Sequence, residues 1–138
     1  MIINCKEIMN ILEIQGVNLE GKNVVIAQCS NIDVKSLVNL MIDEGATVTL
    51  CNNKTNKDCL SFLFFNADIF ISAIDKANYF NKKFFLDNRM LTEYLDNTIA
   101  LNLCINRDND DKLYGGIDKE LYNSFKDVID VTIIDLGF

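Results

Sequence analysis

The sequence predicts an α/β protein: a Rossmann-like, doubly wound, mostly parallel sheet in three layers, folded as a single domain over residues 1–138. Three observations predict it. Short apolar or β-branched runs alternate with stretches of helical period. The first of those runs, Asn23-Val24-Val25-Ile26-Ala27, is nearly all apolar, as a strand covered on both faces requires. A chain of 138 residues is one domain in length, and it contains neither an internal repeat nor a low-complexity linker.

The elements follow in order. Ile8, Ile11 and Leu12 have helical spacing over Ile8 to Ile14, and Gly16 stops that helix. A polar turn, Asn18 to Lys22, leads into the apolar first strand. After Gln28-Cys29-Ser30-Asn31 a helix is expected from Ile32 to Glu44, with Leu37, Val38, Leu40, Met41 and Ile42 facing inward. Gly45 ends it in the left-handed conformation common after helices. Ala46 to Cys51 is β-branched and alternating, hence a second strand. A turn at Asn52 to Thr55, a short helix from Asn56 to Phe65 and a strand from Ala67 to Ala73 come next. One or two short helices are expected between Asp75 and Asp96, then a fourth strand from Thr98 to Ile105. The polar stretch Asn106 to Lys112 reads as a hairpin or loop tip. Leu113-Tyr114 reads as a short strand, Lys119 to Phe125 as a helix, and Val131 to Ile134 as the last strand.

Composition excludes whole classes of chemistry. With no histidine there is no imidazole base, no Ser-His-Asp or Cys-His machinery and no HExxH metal site. A net charge of −7 argues against nucleic acid and against an anionic membrane surface. Hydrophobic residues at 49% with 24% charged are the balance of a folded globular chain. Cys5, Cys29, Cys51, Cys59 and Cys104 include no CxxC pair, so they read as small core residues of a reduced protein. The start, Met1-Ile2-Ile3-Asn4-Cys5-Lys6-Glu7, lacks the basic region and apolar run of a signal peptide, and no stretch approaches a membrane span. A cytoplasmic location is therefore expected. Asp108, Asp110 and Asp111 lack calcium-loop spacing and read as a solvated turn. Gly115-Gly116 reads as a hairpin glycine pair. Phe62, Phe64, Phe65, Phe70, Tyr79, Phe80, Phe84 and Phe85 are expected mainly in the core, the remainder offering a self-association surface for a homodimer.

In a doubly wound sheet ligands sit beyond the carboxyl ends of the strands, which singles out 28–33, 51–55, 74–78 and 104–107. Glu20-Gly21-Lys22-Asn23-Val24-Val25-Ile26-Ala27-Gln28-Cys29-Ser30-Asn31-Ile32, Gly45-Ala46-Thr47-Val48-Thr49, Thr55, Ala67-Asp68-Ile69, Cys104-Ile105-Asn106 and Tyr114-Gly115-Gly116-Ile117-Asp118 form an ordered series. That series resembles the nucleotide-binding half of the methylenetetrahydrofolate dehydrogenase/methenyltetrahydrofolate cyclohydrolase family. The resemblance covers nearly all of this chain and about half of the family's usual length. It implies an NADP- or NAD-binding domain of one-carbon folate metabolism, with Ser30, Thr55 and Ile105 at the positions of the family's cofactor loops.

The departures from the family pattern are as informative. In the family's G-R-S triplet, Gln28 replaces the glycine and Cys29 the arginine, while Ser30 remains; Val34 replaces the loop glycine and Ser36 the proline. Val34 is expected to fill space that a pyrophosphate would need. Asp33, expected in the first helical turn, would stabilise the helix itself and repel phosphate. Ile74-Asp75 replaces a glycine after S-A, and only Thr132 and Gly137 remain of the family's final T-P-V-P-G-G loop. The family's catalytic lysine lies in an N-terminal folate-binding domain, and no lysine here matches it. The resemblance thus leaves two readings open. One is an enzyme component, either a nucleotide-binding module that works with a separately encoded folate-binding chain or a reduced dehydrogenase/cyclohydrolase. The other is a degenerate, non-catalytic remnant kept for assembly or regulation, or an unrelated Rossmann-like binding module.

Overall fold

The structure is a computed structural model that describes residues 4–29, 33–74, 79–80, 98–103, 106–107, 113–114, 116–117 and 131–135. Among these lie three helices, α1 (Cys5–Ile14), α2 (Lys35–Asp43) and α3 (Lys57–Phe65). The strands are β1 (Asn23–Gln28), β2 (Thr47–Asn52), β3 (Ile69–Ala73), β4 (Thr98–Asn102), β5 (Asn106–Arg107), β6 (Leu113–Tyr114) and β7 (Val131–Asp135). Five of them form one sheet in the order β2-β1-β3-β4-β7, parallel at every junction. The doubly wound expectation holds. β5 and β6 pair antiparallel, as the hairpin reading requires.

The sequence dictates the layers through strict alternation. Val24 and Ile26, Ile69 and Ile71, and Leu101 pack with Ile8, Leu12, Leu37 and Met41 of α1 and α2. Val25, Ala27, Phe70 and Ala100 point the other way, onto Leu60 and Phe64 of α3. A central strand covered on both faces cannot carry a polar side chain cheaply, so β1 reads as an unbroken apolar run. On the α3 side the rings stack edge to face, Phe64 against Phe70 at 4.7 Å and Phe70 against Phe80 at 5.1 Å. Phe64, Phe70 and Phe80 are fully buried, so truncating Phe70 to alanine would cost about 3–5 kcal/mol. At the amino ends of the strands Asn23 ties β1 to β3. Its N–H donates to the Asp68 carboxylate at 2.8 Å, and its carboxamide donates to the Asn66 carbonyl at 3.0 Å.

Several boundaries differ from the sequence reading. α1 begins at Cys5 because Asn4 caps it, accepting the Glu7 N–H at 3.1 Å. α2 begins at Lys35, three residues later than Ile32, and its inner face is Leu37 and Met41 with Val38 and Leu40 half-buried. Ile42, expected inside, is 52% exposed. Asn56 caps α3 from outside the helix. Gly16 and Gly45 do take the left-handed conformation, with φ of 75° and 90°. Gly116 follows the β5–β6 hairpin, whose last paired residue is Tyr114, instead of lying in it; it is buried, and its carbonyl accepts the Phe80 N–H at 2.8 Å. Cys5, Cys29 and Cys51 are core residues, whereas Cys59 is exposed. The expected helices within 75–96 and 119–125, and the readings of Cys104, Phe84, Phe85 and the 108–111 acids, fall outside the described residues.

Candidate functional site

Strand order reverses between β1 and β3, since the chain moves from β1 outward to β2 and then returns to β3 on the other side. Gln28 and Cys29 leave β1 here, Ala73 and Ile74 leave β3, and α2 begins directly above. A helix N-terminus at such a point presents unpaired N–H groups and a partial positive charge, the elements of a phosphate site.

In this chain two of those groups are occupied. Val34 stands at the N-cap of α2 without a capping side chain of its own. Its N–H instead donates to Gln28 Oε1 at 3.3 Å. The next N–H, of Lys35, donates to Asp33 Oδ1 at 3.0 Å. Asp33 therefore lies one residue before the cap rather than in the first turn, and it stabilises the helix start by an Asx-type bond. The switch point is sealed beneath. Cys29 is 6% exposed, and both its N–H and its thiol donate to the Ala73 carbonyl, at 3.3 and 3.5 Å. Where the resemblance puts an arginine, the side chain is directed into the core.

Val34 requires a correction. Its side chain is fully buried with Cys5, Ile8 and Leu37, so it fills the core and not the space above the loop. The same neighbourhood sets the chemistry of Cys5. Burial pushes its thiol up, a hydrogen bond with the Leu37 backbone opposes this, and the Asp33 charge adds to it.

Of the three cofactor positions implied by resemblance, only Thr55 is described. Its hydroxyl accepts the Asn52 N–H at 3.1 Å and its own N–H donates to the Asn52 carbonyl at 3.1 Å, closing the turn after β2. Ser30 and Ile105, like Asp75, lie outside the described residues. Sequence reasoning took Gln28 as a bulky replacement and missed its capping bond. The signal was an amide side chain at a strand end ahead of a helix with no capping residue at Val34. Among the described residues no group of three or more acidic or cysteine side chains could hold a metal ion, and no helix is long and apolar enough to cross a membrane.

Residues 4–132 match the family model of the tetrahydrofolate dehydrogenase/cyclohydrolase NAD(P)-binding domain. The chain belongs to this family. It is similar to the bifunctional protein FolD of Lachnoclostridium phytofermentans, 31% identical over 123 residues, which is 89% of this chain and 38% of that protein. It is also similar to FolD of Nitrosopumilus maritimus, 35% identical over 113 residues, 82% of this chain and 36% of that one. Among solved structures, the FolD methylenetetrahydrofolate dehydrogenase/cyclohydrolase from Campylobacter jejuni superimposes with a TM-score of 0.70 at 25% identity, covering 94% of this chain and 41% of that one. The Trypanosoma brucei enzyme, solved with NADP cofactor and an inhibitor, shares the fold at a TM-score of 0.67 and 19% identity, over 95% of this chain and 41% of its own. The tetrahydrofolate dehydrogenase/cyclohydrolase-like domain thus spans little more than a third of the curated relatives, 38% and 36%.

Proposed function

We propose that this tetrahydrofolate dehydrogenase/cyclohydrolase-type domain has a phosphate site closed by its own side chains, so that alone it holds nicotinamide dinucleotides weakly and turns over no methylenetetrahydrofolate. The carrying observation is the pair of bonds from Gln28 to the Val34 N–H and from Asp33 to the Lys35 N–H. A pyrophosphate at this helix start would have to displace a neutral amide and a carboxylate, in a chain with a net charge of −7. Cys29, directed onto the Ala73 carbonyl, offers no fork for a 2′-phosphate, so NADP has no advantage over NAD.

Hydride transfer also needs donor and acceptor held in contact, and a cofactor domain positions only one of them. Calorimetric titration with NADP, NADPH, NAD and NADH tests the reading, alongside a steady-state assay with the folate substrate. Dissociation constants of about 1 mM or weaker, near −4 kcal/mol, are expected. Micromolar binding overturns the closed site; turnover above a no-protein control overturns the inactivity.

A second reading rests on the relatives, which are named as bifunctional proteins and of which this chain matches 38% and 36%. A cytoplasmic folate-binding chain, separately encoded, would then supply the catalytic lysine and complete an NAD(P)-dependent enzyme. Activity that appears only on mixing with such a chain marks this case.

A further inference from the structure

β2 passes into α3 through one tight turn, and the turn brings two cysteines into the same layer. Asn52 and Thr55 close it: the Asn52 N–H donates to Thr55 Oγ1 and the Thr55 N–H to the Asn52 carbonyl, each at 3.1 Å. Asn56 then starts the helix by accepting the Asp58 and Cys59 N–H groups. The strand thus runs straight into the helix, with Cys51 at the end of β2 and Cys59 in the first turn of α3. Cys51 is buried on the α3 face of the sheet in one cluster with Leu60, the residue next to Cys59. Burial first, and the charge of Cys59 second, push the Cys51 thiol up, so each sulfur lies in the other's field. Cys5 and Cys29 belong to the opposite layer, with α1 and α2, and the sheet separates them from this pair.

We propose that Cys51 and Cys59 form a reversible disulfide switch, closed by a hydroperoxide, that braces the β2–α3 turn. Cys59 is exposed and Cys51 is buried, so Cys59 meets the oxidant first. With hydrogen peroxide, the Cys59 thiolate attacks one oxygen and the O–O bond breaks. The leaving hydroxide takes the proton that Cys59 released, giving water and a Cys59 sulfenic acid. Cys51 then attacks the Cys59 sulfur. The S–S bond forms, the S–O bond breaks, and the departing hydroxide takes the Cys51 proton as a second water. The two thiols lose two electrons and one peroxide gains them. A dithiol such as dithiothreitol, oxidised in turn to its own disulfide, reopens the bond. A strand end and a helix start that hydrogen bonds join in the reduced chain are joined covalently in the oxidised one.

Peptide mapping of the whole chain tests this. The reduced protein is treated in dilute solution with a slight excess of hydrogen peroxide, its remaining thiols are alkylated, and it is cut with trypsin. The peptides Ser36–Lys54 and Asp58–Lys76, each with one cysteine, are expected linked, at a mass about 2 Da below their sum and released by dithiothreitol. Peroxide should raise the unfolding temperature of the parent by several degrees and leave that of Cys59→Ser unchanged. Cys51→Ala should stop at the Cys59 sulfenic acid, which dimedone traps; if that variant does not fold, Cys59→Ser and the parent map carry the test. Linkage to Cys5, Cys29 or Cys104, linkage only within a dimer on a non-reducing gel, or Cys59 oxidised to sulfinic acid with no linked pair overturns the proposal. A linked pair that leaves the unfolding temperature unchanged overturns the bracing.

Discussion

The hydroxyl of Ser72 ends against Gly116, and the two residues fit because one of them has no Cβ. A Cβ built on Gly116 would overlap Ser72 Oγ, while its distances to the Ile74 carbonyl and Ser72 Cβ would be 3.3 and 3.4 Å. Ser72 is 1% exposed, and its Oγ finds no hydrogen-bond partner among the described residues. Gly116→Ala should therefore destabilise by about 1–3 kcal/mol, the usual cost of overpacking. Ser72→Ala removes a buried, unpaired hydroxyl and should be neutral or slightly stabilising. Because the clash is with Oγ itself, the double variant should recover most of the Gly116→Ala loss. Urea unfolding of the four proteins closes the cycle, and simple additivity would show the two sites to be independent.

Cys51 gives stability a pH dependence of definite sign. It is 5% exposed at the end of β2, and burial first, then the charge of the Cys59 thiolate, raises its thiol above the usual 9.0. The unfolded thiol loses its proton at a lower pH than the folded one, so between the two values the native state binds more protons. Stability is then fully present below pH 9.0 and falls as pH rises through the folded value. Urea midpoints should drop above that pH, and Cys51→Ala should make the drop shallower than in the parent. In the same proteins at neutral pH, an alkylating agent should modify Cys59 before Cys51, because only Cys59 is exposed.

Asn56 starts α3 by accepting two backbone N–H groups, from Asp58 at 2.8 Å and Cys59 at 3.4 Å. Asn56→Ala should cost about 1 kcal/mol, while Asn56→Asp should be near neutral, since either oxygen accepts and a negative charge suits a helix start. Thermal unfolding separates them; an equal loss in both would mean that the cap bonds contribute nothing.

These residues also show where the sequence was legible. β1 was plain because burial on both faces leaves no polar position to confuse the pattern. The caps at Asn4 and Asn56 were missed as caps because apolar period locates a helix better than its end. At α2 the error was larger in consequence. Each residue turns a helix by about 100°, so moving the start from Ile32 to Lys35 took Asp33 out of the first turn. The direction of a loop side chain has no period at all. That is why Val34 was expected above the loop and is found in the core, and why the Gln28 bond to the Val34 N–H was not foreseen.

That bond leads to the prediction that bears most directly on function. If the helix start is closed by Gln28 and Asp33, removing the Gln28 acceptor and the Asp33 charge should open it without disturbing the core. Gln28→Gly frees the Val34 N–H and clears the strand end, and Asp33→Asn removes the charge while keeping an oxygen for the Lys35 N–H. The double variant should bind NAD and NADP about tenfold more tightly than the parent, the charge change contributing through the helix start. Restoring the family glycine at position 34 is the wrong route. Val34 is fully buried, so Val34→Gly should cost at least about 2 kcal/mol in stability and reveal nothing of the site. Calorimetry on parent, single and double variants decides the matter, with NAD and NADP as the ligands. Unchanged affinity in a folded double variant would mean that the α2 start is not where phosphate is refused. Tightening by Gln28→Gly alone would assign the obstruction to the amide and leave Asp33 as a helix-stabilising residue only.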